Sequence, residues 1–168
     1  MNIEIFTFSL ITNALLIGIG ATIVMDIWGA FLKHALGIVG LNYAFVGRWF
    51  GHMLKGKFKH NRISEAPPVK RELFIGWSIH YLTGVIFTFV FLLIVKSTWL
   101  VSPTIFPAVL FGIITVVFPY FIMQPCLGLG IAASKTPSPH IARIKSAITH
   151  LVFGFGLYVS AKLTTPLL

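Results

Sequence analysis

Three side chains that can carry a proton, Asp26, His80 and His150, lie in segments that are otherwise apolar. Each histidine precedes a glycine by four residues, Gly84 and Gly154, so the two segments share one pattern. A carboxylate beside an imidazole can pass a proton near neutral pH, because histidine titrates in that range. The same side-chain types bind divalent metals. The sequence therefore offers these three groups for proton transfer or for metal binding.

The composition is that of a protein in a lipid bilayer. Of 168 residues, 57% are apolar and only 10% are charged, and the mean hydropathy is +0.91. Soluble domains carry about 25% charged residues. The single cysteine, Cys126, excludes an internal disulfide. We expect one integral membrane domain over residues 1–168, with the N-terminal segment retained as a span.

Four segments are long and apolar enough for transmembrane helices, which need about 20 residues each. They cover approximately residues 5–31, 72–95, 104–125 and 142–163. Pro119 and Pro125 predict a kink in the third segment. The sequence thus predicts an all-α bundle of four membrane spans.

Positive charge is concentrated in two connections between these spans. Eight of the 13 Lys and Arg residues lie between positions 33 and 71, and three more lie between 135 and 145. Loops rich in Lys and Arg remain in the cytoplasm. Orientation therefore explains the net charge of +9 without a nucleic-acid partner. We expect a multi-pass protein with both termini outside and the basic connection 32–71 in the cytoplasm.

Within that connection, the stretch "NYAFVGRWFGHML" predicts an amphipathic helix in the lipid headgroup layer. Its apolar stripe contains Tyr43, Val46, Phe50 and Met53. Basic side chains are expected on the opposite face and just beyond the helix, against anionic headgroups. These headgroup candidates are Arg48, His52, Lys55 and Lys57. The other histidines of the basic connections, including His60, are expected to be solvated or at headgroups.

Polar side chains on all four spans are expected at a similar depth in the cytoplasmic half. Counted along the helices from the flanking basic residues, Asp26 and His150 lie roughly 10 Å deep and His80 roughly 13 Å deep. Tyr120 and Gln124 of the third span lie at the same level. We take these five as candidate binding residues. The alternative is that they are hydrogen-bonded pairs that hold the helices together.

A weak internal repeat relates the two halves of the chain. The stretch "GIGATIVMDIWGAFLKHALGI" resembles "GIITVVFPYFIMQPCLGLGI", and aligning their starts places Asp26 opposite Tyr120. The His-x-x-x-Gly segments follow each copy. The sequence thus suggests a 2+2 parallel repeat, in which His80 and His150 are symmetry mates that face a shared centre.

Three functions fit these residues. The first is proton-linked transport or channel activity by a homo-oligomer, because four short helices enclose little space alone. The second is a metal or haem protein: His80 and His150 could be axial haem ligands, or could bind a divalent metal with Asp26. The sequence has no His-x-x-x-His or Cys-x-x-Cys spacing to support this, and the cofactor stays unknown. The third is a scaffold or accessory subunit beside a partner membrane protein.

An enzyme that acts on lipid is a weaker alternative. It would need a nucleophile with an adjacent base, and Ser134 and Cys126 are the only obvious nucleophiles. No partner base is specified for either, so no catalytic residue is assigned.

Several stretches together resemble one protein family. They are "GATIVMDIWGAF", "NYAFVGRWFGHM", "APPVKRELFIGWSIHYLTG", "QPCLGLGIAASKTPSP" and "HLVFGFGLY", which cover nearly the whole chain. The chain is similar to a family of small bacterial inner-membrane proteins known as domain of unknown function 2938. This resemblance implies a bacterial, integral-membrane, four-helix protein. It implies no activity, cofactor or catalytic residue.

Overall fold

A computed structural model of the chain describes residues 3–96 and 98–164, with side chains from Ser9 onward. Every regular element in these two stretches is a helix. Four segments are long and apolar enough to cross a membrane: Ser9–Leu36, Glu72–Val95, Ile105–Leu127 and Pro139–Thr164. The prediction of an all-α bundle with four spans is confirmed, and each predicted span corresponds to one of these segments.

Seven α-helices follow one another along the described chain. They are α1 (Ile3–Leu36), α2 (Tyr43–Met53), α3 (Glu72–Val95), α4 (Thr98–Val101), α5 (Ile105–Ile114), α6 (Gln124–Leu127) and α7 (Pro139–Thr164). The third span is broken, as its prolines predict: α5 ends at Ile114, and a π-helical stretch, Pro119–Met123, leads into α6. Proline lacks the N–H that continues an α-helix, so the backbone is re-registered here.

The spans pack in the order α3, α1, α7, α5. Helix α1 lies against α3 on one side and α7 on the other. The backbones of α3 and α5 are further apart, and these two helices meet through the rings of Phe91 and Phe111, 5.2 Å between centroids. The core between these helices is made of small and aliphatic side chains together with the aromatic rings of Phe91, Trp99 and Phe153. Its fully buried members include Ala14, Ile17, Ala21 and Leu157. The central contact of the bundle is therefore the one between α1 and α7.

Paired glycines mark two helix crossings. Gly18 and Gly84 meet where α1 crosses α3, and Gly112 and Gly154 meet where α5 crosses α7. A Cβ atom on Gly112 would lie 2.5 Å from the Cα of Gly154. Small residues allow such close backbone contact. The pairs α1–α3 and α5–α7 thus each cross at two glycines, but the extensive α1–α7 contact has no counterpart between α3 and α5. The internal repeat stays a prediction.

The two basic connections lie on one side of the bundle, here called the basic side, and pack together. The N–H of His60 donates to the carbonyl of Cys126 at 2.8 Å. The backbone of Gly128 lies so close to the carbonyl of Asn61 that a side chain would clash there. Its φ of +88° is also a backbone conformation that favours glycine. Trp49, Ile63 and Leu127 form a second hydrophobic cluster there. Because Trp49 belongs to α2, this predicted helix is packed into a folded layer on the basic side.

Candidate functional site

Asp26 of α1 meets two consecutive side chains of α3. The Nε2 atom of His80 lies 2.9 Å from Oδ1 of Asp26, and the hydroxyl of Tyr81 donates to Oδ2 at 2.9 Å. Both carboxylate oxygens are thus occupied. The side chains of Asp26 and His80 are 20% and 11% exposed. The structure brings together two of the residues that the sequence nominated, and it adds Tyr81.

The fourth member of this group comes from α2. The hydroxyl of Tyr43 lies 3.0 Å from the same Nε2 atom of His80. Tyr43 opens α2, whose start is capped by the Asn42 side chain, which accepts from the N–H of Ala44 at 3.0 Å. Gly47 of α2 lies against the backbone of α3, so the two helices approach closely. We call Asp26, Tyr43, His80 and Tyr81 the Asp26 cluster.

The ring of Trp77, on α3, packs against two members of the Asp26 cluster. The ring of Trp77 lies 4.2 Å from that of Tyr43 and 5.7 Å from that of His80, centroid to centroid. Burial raises the pKa of Tyr43, and the nearby Asp26 carboxylate raises it further. Tyr43 therefore keeps its proton at physiological pH and serves the cluster as a neutral hydroxyl.

The shared nitrogen of His80 can be used in two ways. When Nε2 carries a proton it donates to Asp26, and the Tyr43 oxygen can only accept from it. When Nε2 is bare it accepts the Tyr43 proton, and Asp26 must then be protonated to lie at 2.9 Å without repulsion. The geometry is compatible with both arrangements, which differ in the position of one proton.

The remaining candidates lie in other hydrogen bonds. Thr115 donates its hydroxyl proton to the carbonyl of Gly112 at 2.6 Å, so it must accept from Nδ1 of His150 at 2.8 Å. Tyr120 donates to the carbonyl of Arg143 at 2.6 Å. The side-chain amide of Gln124 lies 3.4 Å from the hydroxyl of Ser146. The contacts of Thr115 with His150, of Tyr120 with Arg143 and of Gln124 with Ser146 join the third span to α7.

The predicted polar layer is thus divided into two groups. The Asp26 cluster joins α1, α2 and α3, whereas His150, Tyr120 and Gln124 are bonded between the third span and α7. Within the described residues no hydrogen bond links His150 to Asp26 or His80. That His80 and His150 face one shared centre stays a prediction.

The same separation bears on metal and haem binding. In the described part of the chain, no group of three or more His, Cys, Asp or Glu side chains is placed to hold a metal ion. Asp26 and His80 supply two ligand atoms that already bond each other, and His150 is bonded to Thr115. Asp26, His80 and His150, the three ligands proposed for a divalent metal, therefore do not form a metal site in the described residues.

Arg48 does not face headgroups as the sequence suggested. Its guanidinium makes two parallel hydrogen bonds to Glu72, Nε to Oε2 at 2.8 Å and Nη2 to Oε1 at 2.7 Å. Its Nη1 donates to the carbonyls of Ile63 and Ala66 at 3.2 and 3.0 Å. The side chain is 12% exposed. This orientation is corrected: Arg48 fastens α2 to the start of α3.

His52 and His60 are also turned inward. The Nδ1 atom of His52 lies 2.8 Å from Nε2 of His60, and Nε2 of His52 lies 3.0 Å from the carbonyl of Pro67. The two residues are 9% and 4% exposed, so the expectation that they are solvated is wrong. Lys55 and Lys57 are exposed and remain candidates for headgroup contact.

Sequence reasoning missed the roles of Tyr43, Tyr81 and Thr115. Tyr43 was assigned to the apolar stripe of α2, because its ring fits that pattern. Tyr81 directly follows His80 and could have been considered as a second ligand of the same carboxylate. For Thr115 the sequence carries no local signal, since threonines in apolar helices commonly bond their own backbone.

The four apolar helices, with a partly buried group of ionisable side chains between them, indicate a multi-pass membrane protein. The chain belongs to a family described as "Protein of unknown function (DUF2938)", whose model matches residues 15–164. This confirms the family resemblance seen in the sequence. Neither the curated proteins nor the solved structures yield a match to this chain.

Proposed function

We propose that this chain is a small proton-linked membrane transport protein whose Asp26 cluster takes up and releases one proton. The observation that carries the proposal is the position of His80 Nε2, 2.9 Å from a carboxylate oxygen and 3.0 Å from a phenol. A carboxylate, an imidazole and a phenol in sequence form a proton relay. Tyr43 connects this relay to α2, outside the spans.

The charge of the Asp26 cluster changes when it binds a proton, and this change can couple proton binding to movement of the helices. With Asp26 ionised and His80 neutral, the cluster carries one negative charge among apolar helices. One additional proton makes it neutral, either as a carboxylate–imidazolium pair or as a protonated carboxyl beside neutral imidazole. A charge within the bilayer is costly, so the two states differ in how stably the helices pack around the cluster. This difference is what couples proton binding to movement in a transporter.

We place the basic side in the cytoplasm of a bacterial cell, in the inner membrane, with both termini outside. Proton exchange at the Asp26 cluster then takes place at the cytoplasmic end, through Tyr43. We further propose that the chain acts as a homo-oligomer, because four short helices enclose little space alone.

The test is proton uptake by the purified protein in lipid vesicles. Infrared difference spectra recorded across a pH titration report protonation of a carboxyl group. We expect a protonated-carboxyl band that is missing from Asp26→Asn and shifted in pH by His80→Gln. His150→Gln is the matched control and should keep the band of the wild type.

Flux measurements extend the test. Vesicles with an internal pH dye should acidify faster with the wild type than with Asp26→Asn under an imposed pH gradient and a membrane potential. A carboxyl band that does not change with pH, or equal flux in both proteins, would contradict the proposal. The Asp26 cluster would then only hold the helices together, as expected for a scaffold or accessory subunit.

A further inference from the structure

Two buried imidazoles lie in direct contact on the basic side. The Nδ1 atom of His52, in the last turn of α2, lies 2.8 Å from Nε2 of His60 in the connection that follows. The two residues are 9% and 4% exposed. Tyr43, the member of the Asp26 cluster on the same helix, lies roughly 14 Å away along the axis of α2. The His52–His60 pair is therefore separate from the Asp26 cluster.

Each ring of the pair also faces a backbone group. Nε2 of His52 lies 3.0 Å from the carbonyl of Pro67. The backbone of Cys126, in α6, interacts with the ring of His60, and this contact falls on Nδ1 because Nε2 is occupied by His52. The carbonyl of Cys126 is held there by the backbone N–H of His60, which donates to it at 2.8 Å. The pair thus lies between two carbonyl acceptors.

In the neutral pair one ring nitrogen lacks a partner. A carbonyl can only accept, so Nε2 of His52 carries a proton and Nδ1 of His52 is bare. Nε2 of His60 must then donate to that bare nitrogen, which leaves Nδ1 of His60 bare beside the Cys126 carbonyl. This atom is buried without a well-formed hydrogen bond in the described residues. Two buried acceptors that face each other are costly.

One additional proton satisfies every nitrogen of the pair. The outer nitrogens then donate to the carbonyls of Pro67 and Cys126, and a single proton lies in the 2.8 Å contact between the rings. A hydrogen bond between a charged and a neutral imidazole is stronger than one between two neutral rings. Nδ1 of His60 is shielded from solvent, so a larger ligand has no access to it. A proton reaches it during brief local openings of the structure.

A second additional proton is excluded. It would place a donor on each side of the same 2.8 Å contact and two positive rings next to each other. Burial lowers the pKa of His60, and His52 and Lys57 lower it further, against the opposite effect of the Cys126 backbone. The geometry and the surroundings of the rings therefore both limit the pair to one additional proton.

The charged groups around the pair do not bond to it within the described residues. Glu72, at the start of α3, interacts electrostatically with His52, but its carboxylate is held by Arg48. Lys57 acts on His60. The other charged side chains line a cleft of about 260 Å³ beside His60, and α6 contributes the thiol of Cys126: they are Lys59, Arg62 and Glu65. The number of protons on the pair is therefore set by the two rings and the two carbonyls.

We infer that the His52–His60 pair is a second proton-binding site, which holds one additional proton between its two rings. The pair gives the basic side one positive charge that follows the pH of the compartment it faces. This assignment does not depend on the proposed transport function, because it involves no residue of the Asp26 cluster.

The test is a count of the protons on the ring nitrogens by solid-state NMR of the full chain in phosphatidylcholine vesicles. Isotope-labelled histidine gives separate signals for bare and protonated ring nitrogens. We expect the folded pair to carry two ring protons at about pH 8 and three at about pH 5. A coupling across the hydrogen bond should link Nδ1 of His52 to Nε2 of His60.

Two variants identify the signals of the pair. His52→Gln and His60→Gln should each abolish the coupling, since one of the two bonded nitrogens is removed. His140→Gln is the matched control, because His140 is an exposed histidine of α7, and it should keep both the coupling and the proton count. The titration of the wild type decides the question even if one of the first two variants does not fold.

Three results would overturn the inference. Four ring protons on the folded pair at about pH 5 would show that the two rings titrate independently. A count that stays at two down to the same pH would show that the pair takes up no proton. Absence of the coupling in the folded wild type would remove the direct bond between the rings.

Discussion

His80 and Asp26 are 54 residues apart in the sequence, and their side chains meet at 2.9 Å between two membrane helices. His80 also meets Tyr43 through the same nitrogen, so one imidazole joins α1, α2 and α3. A contact of this kind ties the basic side to the spans.

Asp26→Ala should destabilise the protein, because it leaves His80 and Tyr81 without their acceptor in an apolar surrounding. We expect a loss of about 1–3 kcal/mol in the free energy of unfolding. In a double-mutant cycle with His80→Ala, the coupling energy should exceed about 0.5 kcal/mol. Unfolding in mixed detergent micelles measures both values. Ser78→Ala, an exposed residue of α3, is the control, and additive effects of the two alanines would contradict the predicted bond.

Arg48→Lys should be far more harmful than Arg62→Lys. Arg48 holds Glu72 through two parallel hydrogen bonds and reaches further carbonyls, which a lysine ammonium cannot reproduce. We expect a loss of about 1–3 kcal/mol, since buried carbonyls and a carboxylate lose donors. The exposed Arg62–Glu65 pair should contribute less than about 1 kcal/mol. Thermal unfolding compares the stability of the two variants. Equal losses of stability would be inconsistent with the two parallel hydrogen bonds between Arg48 and Glu72.

Gly112→Ala should destabilise the protein, whereas Gly29→Ala should not. A Cβ atom on Gly112 would lie 2.6 Å from the carbonyl oxygen of His150, so α5 and α7 must move apart. The cost should be about 1–3 kcal/mol, as for overpacked cores. Gly29 has open space around it within α1, and alanine there should stabilise by up to about 1 kcal/mol. The measurement is the free energy of unfolding of each variant. If Gly112→Ala unfolds with the same free energy as the wild type, the close crossing of α5 and α7 is contradicted.

The stability of the folded protein should fall as the pH is lowered. His60 faces His52 and Lys57, and burial together with these groups lowers its pKa below the value of about 6.5 in an unfolded chain. The unfolded chain therefore binds a proton that the folded chain excludes. The contribution of His60 is fully present above pH 6.5 and is lost as the pH falls from there towards the folded pKa, by at most about 1.4 kcal/mol per pH unit.

This pH dependence is measured by thermal unfolding between about pH 8 and about pH 5. His60→Gln should flatten the dependence, because the buried titrating group is removed. His140→Gln is the control, since His140 is exposed at the start of α7 and should leave the slope unchanged. An unaltered slope in His60→Gln would show that the acid sensitivity arises elsewhere.

Much of the architecture follows from the sequence because it depends on local quantities. Apolar runs of sufficient length define the four spans, and Pro119 and Pro125 break the third. Clustered lysines and arginines predict that the two basic connections lie on the same side of the bundle. The contact between the backbones of Gly128 and Asn61 agrees with this. Each of these inferences needs only the residues of one segment and the dimensions of a bilayer.

The partners of the polar side chains were decided by the tertiary structure. Counting residues along a helix gives the depth of Asp26, His80 and His150, but it does not give the direction in which each points around the helix axis. In helices that are apolar on nearly every face, the pattern carries no such direction. The packing order α3, α1, α7, α5 supplies it, so Asp26 pairs with His80 and His150 with Thr115.

The same limit applies on the basic side. The sequence by itself determined that α2 is a helix with charged residues beside an apolar stripe, because helical periodicity is local. It could not determine that Arg48 and His52 point into the protein. That outcome requires Glu72 and the carbonyls between Ile63 and Pro67 to be folded against α2, and only the assembled chain brings those acceptors within hydrogen-bond distance.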